Sequence, residues 1–168
     1  LFSETKNDTF QNFVRDCILE TDLEVRIPDD YVNNVAERLS LYQELDNFSK
    51  EEELVAFEHQ LIDRFGPLPE VVIELFDSMR LRWKAQEVGF EKLVIKSGSM
   101  IGYFISDPQH SYFQSPIFTQ VLNYIQTNPK DCKMSEKNNK LRLIYSNVDT
   151  IKNAYMRISE ILGKPVNN

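Results

Sequence analysis

Glycine, cysteine and histidine are scarce in this 168-residue chain, at five, two and two residues. The glycines, Gly66, Gly89, Gly98, Gly102 and Gly163, fit neither the G-x-x-x-x-G-K-[ST] phosphate loop nor the G-x-G-x-x-G dinucleotide loop, so neither route to ATP or NAD is expected. Cys17 and Cys132 are too few for a disulfide scaffold or a zinc site; reduced thiols in a cytoplasmic protein are expected. Apolar runs are only a few residues long, against the about 20 that span a bilayer, so no membrane role is expected. Basic residues are outnumbered 19 to 26, for a net charge of −7. That balance argues against a general binder of nucleic acid or anionic membrane, since both surfaces attract Lys and Arg.

What is present reads as globular protein: 42% hydrophobic and 27% charged residues exclude a disordered composition. The opening Leu1-Phe2-Ser3-Glu4-Thr5-Lys6-Asn7-Asp8 is polar, without the apolar stretch of a signal peptide. With no initiator Met, the expectation is a piece of a longer polypeptide. Charge is unevenly spread, at net −3 over residues 1–27, −8 over 28–88 and +4 over 89–168. Such asymmetry suggests two subregions that face different things, or two halves drawn together by opposite charge.

Hydrophobic periodicity and turn chemistry place the elements. A lead-in over 1–21 holds a short helix around Phe10 to Ile18, and alternation of Leu23, Val25 and Ile27 reads as a strand stopped by Pro28. Three helices follow. The first is capped by Asp29 or Asp30, with Val32, Val35, Leu39 and Tyr42 inward. The second opens on a Ser49/Glu52 capping box, buries Leu54, Phe57, Leu61 and Phe65, and stops at Gly66-Pro67. The third runs from Pro69 to Gly89.

From Phe90 the period becomes two. A hairpin turns at Ser97-Gly98-Ser99, and a helix follows from Ser115-Pro116 to Asn128-Pro129, with Ile117, Val121, Leu122 and Ile125 inward. A second hairpin turns at Lys137-Asn138-Asn139, and a last helix, capped by Asn147, ends at Gly163. Strand, three helices, hairpin, helix, hairpin and helix indicate an α+β fold with a mostly antiparallel sheet. The expected organisation is a lead-in over 1–21 from an upstream module, one α+β domain over 22–164 and a tail over 165–168. Within the domain, 28–88 is a helical subregion and 89–164 a hairpin–helix subregion.

No catalytic constellation stands out. His59 and Asp63, four apart on the second helix, resemble an acid/base couple, but a solvated helix face explains them better and no third ligand is in view for a metal. His110 has no partner in sequence. The acidic triplet Glu51-Glu52-Glu53 suits the positive end of a helix dipole, and its face continues to Asp63 as a candidate dock for a basic surface. Lys130, Lys133, Lys137, Lys140 and Arg142 form a basic hairpin. Protection of an edge strand is the preferred reading; nucleic-acid contact is the alternative, with Tyr112 and Tyr145 as the nearby aromatics.

Three segments carry a resemblance. The run Leu61-Ile62-Asp63-Arg64-Phe65-Gly66-Pro67-Leu68-Pro69 follows Leu23-Glu24-Val25-Arg26-Ile27-Pro28-Asp29-Asp30-Tyr31-Val32 and Glu37-Arg38-Leu39-Ser40-Leu41-Tyr42. In this order and spacing the chain resembles the C-terminal (TRCF) domain of bacterial transcription-repair coupling factors, over at least residues 22–88. The resemblance implies a non-catalytic part of a multidomain, ATP-dependent DNA translocase that displaces stalled RNA polymerase and recruits nucleotide-excision repair through UvrA. ATP and Mg would belong to an upstream motor, and no cofactor to this chain.

By the same resemblance, the domain docks on an N-terminal UvrB-like module of its own polypeptide, masks the surface UvrA would use and restrains the motor. Acidic side chains of the helix ending in D-R-F-G make that contact, which points to Asp63. Gln60 stands where the family often has glutamate, which removes one charge; Glu53, Glu58 or the adjacent acidic triplet are candidates to compensate. Arg64 is expected in a local salt bridge.

Overall fold

The computed structural model describes residues 13–163. It has a five-stranded mixed sheet and five α-helices, an α+β fold. In chain order these are β1 (Ile18–Thr21), α1 (Val35–Asp46), α2 (Glu51–Phe65), α3 (Glu70–Val88), β2 (Phe90–Lys96), β3 (Ser99–Phe104), α4 (Pro116–Thr127), β4 (Cys132–Lys137), β5 (Lys140–Ser146) and α5 (Ile151–Ile161). The strand order is β1-β2-β3-β5-β4, with β1 parallel to β2 and every other pair antiparallel.

The chain divides into two compact units, Leu23–Arg80 and the remainder. The division between Arg80 and Leu81 falls within α3.

In the Leu23–Arg80 unit, Leu54, Phe57 and Leu61 of α2 are buried with Leu41, Leu45 and Phe76. The Phe57 ring meets Phe48 at 5.3 Å and Phe76 at 6.0 Å, edge to face. The face that α1 buries is not the Val35/Leu39 face that the sequence suggests. Val35 and Leu39 are 59% and 57% exposed, while Leu41 and Leu45 point inward. Two apolar stripes share helical spacing in this segment, and packing selects the second. The helix begins later than Asp29 or Asp30 would set it: Asn34 is the cap, its side chain accepting from the Glu37 N–H at 2.9 Å. Tyr31 and Val32 form a turn on the Pro28 carbonyl instead.

Residues 23–27 are not a strand, and the sheet's first strand is Ile18–Thr21. The parallel ladder stops there because β2 ends at Lys96: Asp22 N–H donates to the Ile95 carbonyl, and the Asp22 carboxylate accepts from Ser97 N–H at 3.0 Å. The buried Ile27 instead donates its N–H to the Tyr42 hydroxyl at 2.7 Å. Of the expected lead-in helix, residues 10–12 lie outside the described residues and 13–17 are irregular. This segment is tied to α3 by Arg82, which donates to the Cys17 carbonyl at 2.9 Å and the Asp16 carboxylate at 2.6 Å.

In this second unit, one face of the sheet is core: Leu93, Ile95, Met100, Phe104, Leu143 and Tyr145 are buried. The alternate residues Lys92, Val94, Ile101, Tyr103, Arg142 and Ile144 keep partial solvent access. On α4, Tyr124 is buried and Leu122 is 39% exposed, the reverse of the sequence expectation for Leu122. The last helix is capped by Thr150, whose hydroxyl accepts from Asn153 N–H at 2.9 Å. Asn147, with φ of 59°, ends the strand instead. Cys17 and Cys132 are free and buried, and burial pushes their thiols up to about 12 and about 11.

Candidate docking site on the second helix

Helix α2 divides its residues cleanly. Leu54, Phe57 and Leu61 recur every three or four residues and are buried, which leaves Glu52, Val55, His59, Gln60, Ile62 and Asp63 in solvent. Its N-terminus is closed by Glu53, whose carboxylate accepts from Ser49 N–H at 2.8 Å and Lys50 N–H at 3.1 Å. The capping residue is thus Glu53 rather than Glu52, because the helix begins at Glu51 and its third position falls on Glu53. Glu51 pairs with Arg80 through two guanidinium nitrogens, at 2.9 Å each for the shortest contacts, and Arg80 also holds Asp77 at 2.9 Å. Those contacts raise the Arg80 guanidinium pKa.

The C-terminus is equally fixed. Gly66 adopts φ of 92°, and the Tyr31 hydroxyl donates to the Gly66 carbonyl at 2.7 Å, with the Leu61 carbonyl at 3.3 Å. Partial burial there raises the Tyr31 phenol pKa. Arg64 pairs with Glu37 of α1 and lies 4.8 Å above the half-buried Phe65 ring, which also meets the Tyr31 ring at 5.7 Å.

The candidate residues therefore separate. Glu53 and Arg64 are engaged in holding the helix. Asp63 and Gln60 are exposed, and Asp63 makes no ion pair or side-chain hydrogen bond with another described residue. A carboxylate in the last turn faces the negative end of the helix dipole, a position that costs about 0.3–1 kcal/mol at the surface. His59 is exposed and makes no hydrogen bond to Asp63 among the described residues. No group of three or more His, Cys, Asp or Glu residues could hold a metal ion among the described residues. His110 has a structural contact that the sequence did not reveal: its Nδ1 accepts from Tyr112 N–H at 3.0 Å, capping a 3-10 turn over Ser111–Gln114.

Sequence reasoning missed the apolar part of this surface. Val55 and Ile62, 37% and 41% exposed, lie seven apart on one face of α2, and Val35 and Leu39 are exposed on α1. The helical spacing of Val35 and Leu39 looked like a buried stripe, so only the competing Leu41/Leu45 spacing signalled otherwise.

Comparison with known proteins follows the same residues. The TRCF domain family matches residues 21–115. The transcription-repair-coupling factor of Escherichia coli (strain K12) is 33% identical over 116 residues, 58% of this chain and 10% of that protein. That of Buchnera aphidicola subsp. Acyrthosiphon pisum (strain APS) is 30% identical over 147 residues, 86% of this chain and 17% of that protein. The chain thus spans between a tenth and a sixth of the length of these relatives. A crystal structure of the C-terminal domain of transcription-repair coupling factor superposes with a TM-score of 0.70 at 15% identity, covering 88% of this chain and 92% of that one, and shows the shared fold.

Proposed function

The chain belongs to the TRCF domain family, and from that premise we propose that it is a non-catalytic regulatory module of a transcription-coupled repair translocase. The exposed face of α2 docks on a basic surface of the UvrB-like N-terminal module of the same polypeptide, in the cytoplasm. Docking masks the UvrA-binding surface and restrains an ATP-driven motor elsewhere in the protein, whose partners are DNA and RNA polymerase. The observation that carries this reading is Asp63. Its carboxylate is in solvent, at the wrong end of a helix dipole, with no counterion among the described residues.

The physical device is a population shift. A closed, docked state exchanges with an open one, and any ligand that prefers the open state competes with docking. Coupling energies of this kind are typically about 1–3 kcal/mol, so one charge contact moves the balance measurably. Gln60 in place of a carboxylate leaves Asp63 the principal acid at this end of α2, and Val55 and Ile62 supply adjoining apolar area.

The test is to titrate this chain against the separately produced UvrB-like module and follow association as salt is raised. Affinity is expected to fall with ionic strength, and Asp63→Lys to weaken it at least tenfold, with Glu44→Lys on α1 as the exposed control. Unchanged affinity of folded Asp63→Lys, or no association at low salt, overturns the reading.

A further inference from the structure

A second charged surface lies on other residues, in the unit that holds the sheet. Cross-strand register places Ile18, Lys92, Tyr103, Arg142 and Ser135 in one row across all five strands. Opposed residues share a sheet face, and this is the face opposite the buried Leu93 and Leu143. Lys137 and Lys140 extend it at the hairpin, where they are register partners. Ile18, Lys92, Tyr103, Lys137, Lys140 and Arg142 border a cleft of about 450 Å³.

Edge protection accounts for only part of this. Strand β4 is an edge, so Lys133 and Lys137 suit it. Arg142 lies on β5 and Lys92 on β2, both interior strands that need no such protection. Lys137 opposite Lys140 is also a like-charge pair, which works against the hairpin that carries it. Glu91 lines the cleft, and Glu20, outside its lining, holds Lys92 at 3.2 Å. Lys137, Lys140 and Arg142 have no carboxylate at ion-pair distance among the described residues. Between the cations sits the half-exposed Tyr103, with Lys92 Nζ 5.7 Å from its ring centre and Arg142 as its partner across the strands. Tyr112 and Tyr145, the aromatics nearest this hairpin in sequence, are both buried.

We propose that this face binds single-stranded nucleic acid, with phosphates on Lys137, Lys140 and Arg142 and a base stacked against Tyr103. Cations interleaved with an accessible aromatic on an open sheet are the chemistry that a single strand fits, since every base offers a π-face and every nucleotide a charge. A rigid duplex cannot present its bases to Tyr103. An acidic protein segment would satisfy the cations but leave the ring without a role.

The test is fluorescence anisotropy of labelled (dT)12 with the full chain, beside a 12-base-pair duplex and polyglutamate as competitors. Binding in the range of about 1–100 μM at low salt is expected, with log affinity against log salt falling at a slope of about −2 for three phosphates. Lys137→Glu is expected to weaken binding at least tenfold while raising Tm by about 1–3 °C, because it turns a repulsive cross-strand pair into an attractive one. Tyr103→Leu is expected to weaken (dT)12 binding at least fivefold. No saturable binding at low salt overturns the proposal. So does equal competition by polyglutamate, or indifference to Tyr103→Leu, either of which would assign the face to an acidic protein partner.

Discussion

Gly89→Ala is expected to be the most damaging single-methyl change in the sheet-bearing unit. Helix α3 ends at Val88 and β2 begins at Phe90, so one residue makes the whole turn. Gly89 does this with φ of 109°, its N–H shared between the Ala85 and Gln86 carbonyls at 3.1 and 3.2 Å. A Cβ placed there falls 2.3 Å from two ring carbons of Tyr112 and 2.5 Å from its hydroxyl oxygen. That ring cannot step aside. It is fully buried, its hydroxyl donates to the Val88 carbonyl, and Phe113 and Phe118 flank it at 5.2 and 5.4 Å. Left-handed strain contributes about 1–2 kcal/mol and overpacking about 1–3 kcal/mol. The total of about 2–5 kcal/mol is a large part of the about 5–15 kcal/mol that holds an ordinary domain together. Urea unfolding followed through Trp83, the single tryptophan, reads the same unit. Gly98→Ala is the control: φ is 77° with nothing within 4 Å of the added carbon, so only the strain remains. Coupling is checked by Tyr112→Leu, whose cost should be smaller in the Gly89→Ala background than alone. If Gly89→Ala destabilises no more than Gly98→Ala, the steric argument is wrong.

Two further outcomes follow from the same packing. Glu53→Ala should lower stability by about 0.5–2 kcal/mol in thermal melts, since it leaves two N–H groups of the α2 entry without their acceptor, whereas Glu52→Ala should change it by less than about 0.5 kcal/mol; equal effects would refute the assignment of the cap. Burial raises Cys17 to about 12, Cys132 to about 11 and Tyr124 to about 12, and it also raises Tyr112 and Tyr145. Each group stays protonated in the fold while the unfolded chain ionises, so this stability is complete below about pH 9 and is lost as pH rises toward the folded values. Urea midpoints should therefore fall steadily from about pH 9 upward, the unfolding free energy dropping by at most about 1.4 kcal/mol per pH unit for each group, and both thiols should resist a disulfide reagent at pH 8 until denaturant is added. A flat midpoint to pH 11 would contradict this.

Helix existence was legible because punctuation and period agreed. Gly66 before Pro67, Ser115 before Pro116 and Asn128 before Pro129 each mark a boundary that the structure keeps. The hairpin at Asn138-Asn139 was readable for the same reason: both residues take positive φ, as a two-residue turn requires. What failed was any choice between two equal local patterns. Val35/Leu39 and Leu41/Leu45 have the same spacing, and only the tertiary neighbours decide which pair is buried. Likewise Leu23-Val25-Ile27 alternates like a strand, but a strand needs a partner, and β2 has ended by then. Asp63 could be singled out because its helix was readable. Tyr103 could not, because it joins Arg142 through register between strands 39 positions apart in sequence.

Asp63 and Lys137, the latter together with its register partner Lys140, share a property that Glu53, Arg64 and Arg80 lack. Each stands where folding alone favours the opposite sign: a carboxylate at the negative end of α2, and an ammonium facing Lys140 across the hairpin. Glu53, Arg64 and Arg80, by contrast, have their charge consumed within the fold by backbone N–H groups, Glu37 and Glu51. The two classes predict opposite signs. Reversing Asp63 or Lys137 should raise stability by a few tenths of a kcal/mol to about 1 kcal/mol while weakening association with the respective partner. Removing Glu53 or Arg80 should lower stability, and should affect association only as far as the helix itself loosens. Local cost without structural return is where a sequence answers to something besides its own fold. A stability loss in Asp63→Lys or in Lys137→Glu would return that residue to the structural class and remove this argument for its surface.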